Sequence, residues 1–204
     1  MPAPGARSIA KALSVSDGFT LVELLLALSI AVVSMSVAVP ATRDALDALR
    51  TGMAARAVSA RLASLRMDAV SQSRCFGLRF EAAGEDYRFA TVADGNGNGV
   101  RSADIAAGVD AAVSLKERLS DKFPGVTFGL MNGYPDADLV GGTGADGVRI
   151  GRALILTLSP DGTATAGTLY LHGRRAQYAI RILGATGRVR VLQYLPGTGT
   201  WLPL

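Results

Sequence analysis

The sequence has one cysteine, Cys75, and one histidine, His172, in 204 residues. A single cysteine excludes an intramolecular disulfide. A thiol–imidazole pair of these two residues lacks an evident third group to orient it. Zinc-ligand spacing, a phosphate-binding loop and a Gly-x-Ser-x-Gly element are also missing. The sequence therefore offers no catalytic constellation, and we expect a protein that is not an enzyme.

Aromatic residues are scarce, at 6% of the chain, whereas glycine occurs 24 times. This composition favours short strands joined by many turns. The formal net charge is only +4, but its distribution is uneven. Residues 149–204 contain arginine at 149, 152, 174, 175, 181, 188 and 190 against one acid, Asp161. Such asymmetry indicates a surface that faces anions.

One long apolar run, residues 19–39, contains a single charge, Glu23. Its 21 residues would form a helix about 31 Å long, which matches the hydrocarbon thickness of a bilayer. The basic residues Arg7 and Lys11 precede the run. The positive-inside rule then predicts a single-pass protein with a cytoplasmic N-terminus and residues 41–204 on the other side of the membrane.

Glu23 is costly in lipid, by about 2.5–3.5 kcal/mol, and a specific positive partner would stabilise it. The polar stretch 1–18 is typical of a leader that is removed before the apolar run. Cleavage after Gly18 would create a partner for Glu23, namely the new α-amine of Phe19 on a neighbouring copy. The alternative is a plain signal anchor in which Glu23 is incidental.

The run Gly18-Phe19-Thr20-Leu21-Val22-Glu23 resembles the class III signal of type IV prepilins and type II secretion pseudopilins. The resemblance implies a prepilin peptidase that cuts between Gly18 and Phe19 and then N-methylates Phe19. It also implies that Glu23 pairs with a neighbouring subunit's amine during assembly. Pro40 matches the family's helix-bending proline, and a proline inside a helix predicts a kink. Implied partners are other pilins or pseudopilins, the peptidase and an inner-membrane assembly platform.

Residues 40–73 are predicted to continue the helix as an amphipathic segment. Apolar residues recur at three- and four-residue spacing, which predicts a stripe that docks on a globular domain. That stripe contains Leu46, Leu49, Met53, Ala57, Ala60, Leu62, Leu65 and Ala69.

Residues 74–204 are predicted to form an extracytoplasmic domain rich in β-strands. A hairpin is expected around Ala83-Gly84-Glu85, with loops over residues 93–112 and 132–148. The remaining strands are predicted at Val113 to Leu119, Val126 to Met131, Ala153 to Leu158, Gly167 to His172, Ala176 to Leu183 and Arg188 to Tyr194. The expected fold class is α+β, with a long N-terminal helix packed on an antiparallel sheet or sandwich.

The C-terminal third carries a narrower resemblance. Ser159-Pro160-Asp161-Gly162, then Gly167-Thr168-Leu169-Tyr170-Leu171, then Gly187-Arg188-Val189-Arg190-Val191 is similar to H-type minor pseudopilins and FimT-type minor pilins. The chain is accordingly expected in the inner membrane, with its C-terminal domain in the periplasm, assembled into a pseudopilus or pilus. The first functional hypothesis is a minor pseudopilin of type II secretion. The alternative is a FimT-type pilin that binds DNA for natural transformation.

Arg188 and Arg190 are the sharpest candidate binding residues. In a strand they share one face about 6.5–7 Å apart, close to the phosphate spacing along a nucleic-acid strand, and guanidinium forks bind phosphate bidentately. Arg174 and Arg175 in the preceding turn could extend the patch, and FimT-type pilins have a similar Gly-Arg-x-Arg element implicated in DNA contact. The alternative is that H-type pseudopilins have similar Gly-Arg-Val-Arg-like ends and that exposed arginines on an edge strand prevent aggregation.

A second candidate site starts at Asp94. Asp94, Asn96 and Asn98 alternate with glycines as in the first half of a calcium loop, and Asp104 falls one residue short of the position where a further acidic ligand is needed. The twelfth position, which should be acidic, is Ile105. The two interpretations are therefore a structural calcium ion, with no other cofactor expected, or a Gly/Asn-rich turn without metal.

Overall fold

The computed structural model describes residue 18, residues 20–137 and residues 146–204. Its first element is α1 (Leu21–Gln72), a 52-residue helix that contains Pro40. The chain divides after Ala41, and residues from Thr42 onward form one folded unit. The long N-terminal helix is therefore confirmed, and it ends at Gln72, one residue before the predicted boundary.

The folded unit contains two antiparallel sheets. In the first sheet the order is β3 (Ala111–Ala112), β2 (Asp86–Ala93), β1 (Phe76–Ala83), β7 (Ile155–Leu158), and β4 (Glu117–Arg118) also pairs with β2. In the second the order is β11 (Thr200–Pro203), β10 (Arg188–Leu195), β9 (Gln177–Leu183), β8 (Gly167–His172), β5 (Thr127–Phe128), and β6 (Val148–Arg149) also pairs with β8. Two short helices, α2 (Ser102–Ala106) and α3 (Leu119–Lys122), lie in the connections.

One hydrophobic core joins the second half of α1 to both sheets. Leu62 and Leu65 of α1 pack in the same cluster as Phe80 of β1 and Ile180 of β9. The ring of Phe128 meets that of Phe80 edge-on, with centroids 5.4 Å apart. Aromatic pairs prefer this edge-to-face arrangement. The α+β class predicted from the sequence is confirmed.

The N-terminal half of the predicted docking stripe is wrong. Leu46, Leu49 and Met53 are 42%, 62% and 49% exposed, and Ala57 and Ala60 are also exposed. The buried residues of α1 are Asp47, Thr51, Gly52, Ala54, Ala55, Val58, Leu62, Leu65 and Ala69.

Small residues explain this choice of face. A Cβ at Gly52 would lie 3.0 Å from Oη of Tyr178, and Ala54 and Ala55 are fully buried. The helix therefore approaches the sheets more closely than Leu46 or Met53 would allow. The predicted stripe is correct only from Leu62 onward.

Several strand predictions also need correction. The predicted strand from Val113 to Leu119 contains only β4, because β3 ends at Ala112 and Leu119 starts α3. The predicted strand from Val126 to Met131 is only β5, Thr127–Phe128, and the chain then leaves the ladder. α2 lies within the stretch 93–112 expected to be a loop, and β6 and β11 were not anticipated. The hairpin of β1 and β2, together with β8, β9 and β10, follows the prediction closely.

Residues 129–137 cross the outer face of the second sheet, and we call this segment the strap. Gln177, which is 1% exposed, accepts the N–H of Met131 and donates to the carbonyl of Gly129. The hydroxyl of Tyr170 accepts the N–H of Ala137. These buried groups are satisfied by one another, so the strap is a fixed part of the second sheet's surface.

Candidate functional site

The start of α1 carries the candidate assembly residues. Thr20 caps the helix, because its hydroxyl accepts the N–H of Glu23 at 3.2 Å and its carbonyl accepts the N–H of Leu24. Glu23 lies in the first turn, where the positive end of the helix dipole favours a carboxylate. Gly18 is exposed. Phe19, predicted as the residue after the cut, lies outside the described residues.

The apolar side chains on both sides of Glu23 have no cover within the described chain. Leu21, Val22 and Val37 are each more than 70% exposed, and this is the one helix among the described residues long and apolar enough to cross a bilayer. Such exposure of large apolar side chains fits membrane anchoring. α1 includes Pro40 and continues beyond it, and the kink predicted there stays a prediction.

Arg188 and Arg190 lie on β10, two residues apart and both exposed, as the sequence predicts. Neither guanidinium makes an ion pair with a described residue. Gly187 before them has φ +56°, and a Cβ there would be 2.5 Å from the carbonyl oxygen of Gly162. The glycine of the Gly-Arg-Val-Arg element is therefore required by the turn, since only glycine combines that φ with so close an approach.

An aromatic group lies further along the same face of β10. Side chains alternate along a strand, so Tyr194 shares the face of Arg188 and Arg190, and Trp201 of β11 is its direct partner. Their ring centroids are 5.3 Å apart, and Tyr134 of the strap lies 4.7 Å from Tyr194. The indole N–H of Trp201 donates to the carbonyl of Pro135. Tyr194 and Trp201 are placed by paired strands, whereas the contribution of Tyr134 depends on the strap.

Two further arginines align with this face but are engaged by the strap. Strand register places Arg181 opposite Arg190, and Thr168 opposite both Arg181 and Arg149. Arg181 donates to the carbonyl of Ala137 at 2.7 Å. Arg149 pairs with Asp136 at 2.6 Å and stacks over the ring of Tyr170. On this face, the guanidinium groups that make no ion pair with a described residue and no hydrogen bond to the strap are therefore those of Arg188 and Arg190.

Arg174 and Arg175 do not extend this patch. They lie in the turn before β9 begins at Gln177, whereas Arg188 pairs with Leu183 at the other end of β9. Six residues of strand separate those ends by about 20 Å. The side chain of Arg175 pairs with Asp44 of α1 at 2.7 Å.

The turn of Arg174 and Arg175 instead contributes backbone donors to a buried carboxylate that the sequence analysis missed. Asp47 is 9% exposed, and it accepts the N–H groups of Arg174, Arg175 and Ala176 at 2.8, 2.9 and 3.3 Å. A Cβ at Gly173 would lie 2.3 Å from Oδ1 of Asp47. An acid in a helical stretch of alanines and leucines is the only sequence signal for this contact.

The loop that starts at Asp94 is held together by its own backbone. The carboxylate of Asp94 accepts N–H groups from Asn96 and Gly97 at one oxygen and from Gly99 at the other. Burial acts to raise the pKa of Asp94, but these hydrogen bonds prevail and the pKa is lowered.

The other candidate ligands of this loop are also engaged. The amide of Asn98 donates to Asp104, and Asp110 accepts the N–H groups of Gly95 and Arg101. Among the described residues no group of three or more Asp, Glu, His or Cys is placed to hold a metal ion. The contacts are those of Asx turns, and a structural calcium ion stays a prediction.

Cys75 and His172 have separate partners. The thiol of Cys75 lies 3.8 Å from the hydroxyl of Ser159, whereas the ring nitrogens of His172 contact the hydroxyl of Thr127 and the carbonyl of Gly173. His172 borders a cavity of about 540 Å³ that also exposes Tyr87 and Asp146. Burial and the hydrogen bond to Asp146 raise the pKa of Tyr87 to about 12, so this phenol is a hydrogen-bond donor at neutral pH.

No protein-family model and no curated protein sequence matches this chain. Two solved structures of the minor pseudopilin EpsH from the type II secretion system of Vibrio cholerae are similar. One is 14% identical and covers 77% of this chain and 94% of its own, with a TM-score of 0.39. The other is 15% identical and covers 76% and 95%, with a TM-score of 0.38. These likenesses are distant, and the functional assignment depends on the residues of this chain.

Proposed function

We propose that this chain is a minor pseudopilin of a type II secretion system. It is made with a leader that a prepilin peptidase removes after Gly18, and Phe19 becomes the methylated N-terminus. The helix that follows anchors the protein in the inner membrane and joins other pseudopilins above an assembly platform, with the β domain in the periplasm. The observation that carries the proposal is the Gly18–Glu23 signal directly before an uncovered apolar helix that continues into a two-sheet domain.

Glu23 has a specific role in this proposal. Its carboxylate neutralises the free amine of a neighbouring subunit where both groups are removed from water, and an ion pair is much stronger there than at a surface. Removing one partner leaves the other charge without compensation, which typically costs about 3–5 kcal/mol. Assembly should therefore depend on Glu23 even though the fold of residues 42–204 does not.

Filament incorporation in the producing bacterium tests this role. The parent chain, Glu23→Ala and the exposed-site control Glu85→Ala are expressed at matched levels, and sheared filaments are analysed for the chain. We expect Glu85→Ala to match the parent and Glu23→Ala to remain in the membrane fraction. Incorporation of Glu23→Ala as efficient as that of the parent would remove the pairing role.

A DNA-binding minor pilin is the second candidate. It is favoured by one observation: Arg188 and Arg190 are exposed, lack ion pairs with described residues and share a face with Tyr194 and Trp201. Arginines that contact successive phosphates, beside rings on which bases stack, are the elements of a single-strand binding surface.

Binding of the full chain to single-stranded oligo-dT, measured across a salt series, tests this alternative. If both arginines contact phosphates, Arg188→Ala/Arg190→Ala should reduce the slope of log K against log salt by about 1.4, which is 0.7 for each contact. The charge-matched control Arg101→Ala/Arg152→Ala should leave the slope unchanged. If the parent showed no salt-sensitive binding, the DNA-binding alternative would be rejected and only the secretion role would remain.

A further inference from the structure

The second half of α1 exposes a regular row of residues on the face turned away from the sheets. Its members follow one another at alternating three- and four-residue steps, the spacing of a seam between two helices. We call this row the outer stripe: Leu46, Leu49, Met53, Arg56, Ala60, Ala63, Met67 and Val70, all of them exposed. The buried residues of the same helix occupy the opposite positions.

The outer stripe is too apolar for a face that meets only water. Leu49 is 62% exposed and Met67 69%, whereas a helix docked by one face normally shows polar residues on the other. Lipid does not explain it, because the 21 residues from 19 to 39 already match the hydrocarbon thickness of about 30 Å. An apolar seam beyond the bilayer indicates a protein partner.

Charge specifies that partner further. Arg56 within the outer stripe and Arg50 beside it are exposed and form no ion pair with any described residue, and Arg43 lies one heptad before Arg50. The acids of this part of the helix do not compensate them, because Asp44 pairs with Arg175 and Asp47 holds the turn before β9. The outward face is therefore both apolar and basic.

A second copy of the chain is a poor occupant. Two identical helices anchored in the same membrane run parallel, and in register they place Arg56 against Arg56 within the seam. Like charges at such positions are destabilising and are a common device against unwanted pairing. An acidic helix packed on the same face would instead form favourable ion pairs with these arginines.

We propose that the outer stripe binds a parallel helix of a different protein. That helix has an apolar seam at the same spacing and Asp or Glu opposite Arg50 and Arg56. The proposal rests on the proposed function, in which the chain is surrounded by the helices of other subunits, and it identifies the neighbour as acidic and the contact as one between unlike subunits.

Disulfide trapping with designed peptides tests the proposal on the full chain in phosphatidylcholine nanodiscs. A Cys75→Ser/Ala57→Cys variant places one thiol beside the outer stripe. Two four-heptad helical peptides with the same leucine seam and one central cysteine differ only in having Glu or Lys at the flanking positions. We expect the mixed disulfide to form about tenfold faster with the Glu peptide at low salt.

Variants of the two arginines provide the decisive comparison. Arg50→Glu/Arg56→Glu should reverse the preference toward the Lys peptide, whereas the charge-matched control Arg101→Glu/Arg152→Glu should leave it unchanged. Equal rates with both peptides, insensitive to Arg50 and Arg56, would overturn the proposal. A homodimer that forms faster than either mixed disulfide would overturn it too and make a second copy the occupant. Because the assay does not depend on processing at Gly18, its failure is distinguishable from failure of the proposed function.

Discussion

Asp47 shows how one buried acid can decide where a helix docks. Its carboxylate is surrounded by three backbone N–H groups of the turn before β9. Hydrogen bonds to a charged acceptor are stronger than those between neutral groups. Asp47 is also the first residue of α1, counted from the N-terminus, that the folded unit buries. It therefore fixes the point at which the helix leaves the domain.

We predict that Asp47→Ala lowers the free energy of unfolding by about 3 kcal/mol, because three backbone N–H groups lose the buried carboxylate that accepts them. Asp47→Asn should cost less, since one amide oxygen still accepts. The control is Asp44→Ala, which removes only the exposed pair with Arg175 and should cost less than about 1 kcal/mol. Chemical denaturation of the full chain in detergent measures all three. Equal losses for Asp47→Ala and Asp44→Ala would show that the carboxylate does not hold the turn.

Asp94 makes the stability of the domain depend on pH in the acidic range. Its pKa is lowered in the folded state by the N–H groups of its own loop, against the effect of burial. The unfolded chain therefore binds a proton at a higher pH than the folded chain does. The stabilisation is present above the ordinary carboxyl pKa of about 3.9 and is lost as the pH falls below it.

The melting temperature should accordingly drop more between pH 7 and pH 3 in the parent than in Asp94→Asn. Asparagine keeps an oxygen for the turn but has no charge to titrate, so the comparison isolates the ionisation. Identical pH profiles for the two chains would mean that the loop contributes nothing to acid sensitivity.

Among the elements, α1 is the one whose sequence misleads most. Leucine and methionine at helical spacing predicted its docked face, yet Leu46, Leu49 and Met53 are exposed and Thr51, Gly52, Ala54 and Ala55 are buried. Periodicity identifies an apolar seam but does not say which of two seams meets the sheets. Here the closeness of the backbones decides, and small residues permit it.

Paired substitutions on the two faces test this assignment. Ala55→Leu should cost about 1–3 kcal/mol of unfolding free energy, because extra methyl groups in a filled interface force atoms apart. Leu49→Ala should change stability by less than about 0.5 kcal/mol, as is usual at exposed positions. Urea denaturation of both variants provides the comparison, and a larger loss for Leu49→Ala would restore the face predicted from the sequence.

The strands were easier to predict than their connections. β8 has the predicted bounds, and Arg188 and Arg190 lie on β10 with the predicted exposure, because alternation and turn residues are local signals. The strap was not predictable. It is fixed by Gln177, Tyr170, Arg181 and Trp201, which come from three strands and meet it only after the second sheet has formed.

The same distinction applies to the candidate sites. The alternation of Asp94, Asn96 and Asn98 suggested metal ligands. In the structure Asp94 and Asn96 accept backbone N–H groups of the loop, and the amide of Asn98 donates to Asp104. Arg174 and Arg175 appeared close to Arg188 along the chain, but the length of β9 separates them. Proximity in sequence predicted local turns well, but it predicted poorly which residues lie together on the surface.

The molecule as a whole has an N-terminal apolar helix and a domain with exposed arginines on α1 and β10. The helix supplies anchoring and, with Glu23, the proposed contact between subunits. The domain supplies the outer stripe and the arginines of β10. The proposed contact through Glu23 assumes that the leader is removed, because only then does Phe19 offer an amine.

The mass of the N-terminal peptide of the chain isolated from its own membrane tests that assumption most directly. We predict a peptide that begins at Phe19 and is heavier by one methyl group. Detection of the original start, with no terminus between Gly18 and Phe19, would contradict the account at its centre.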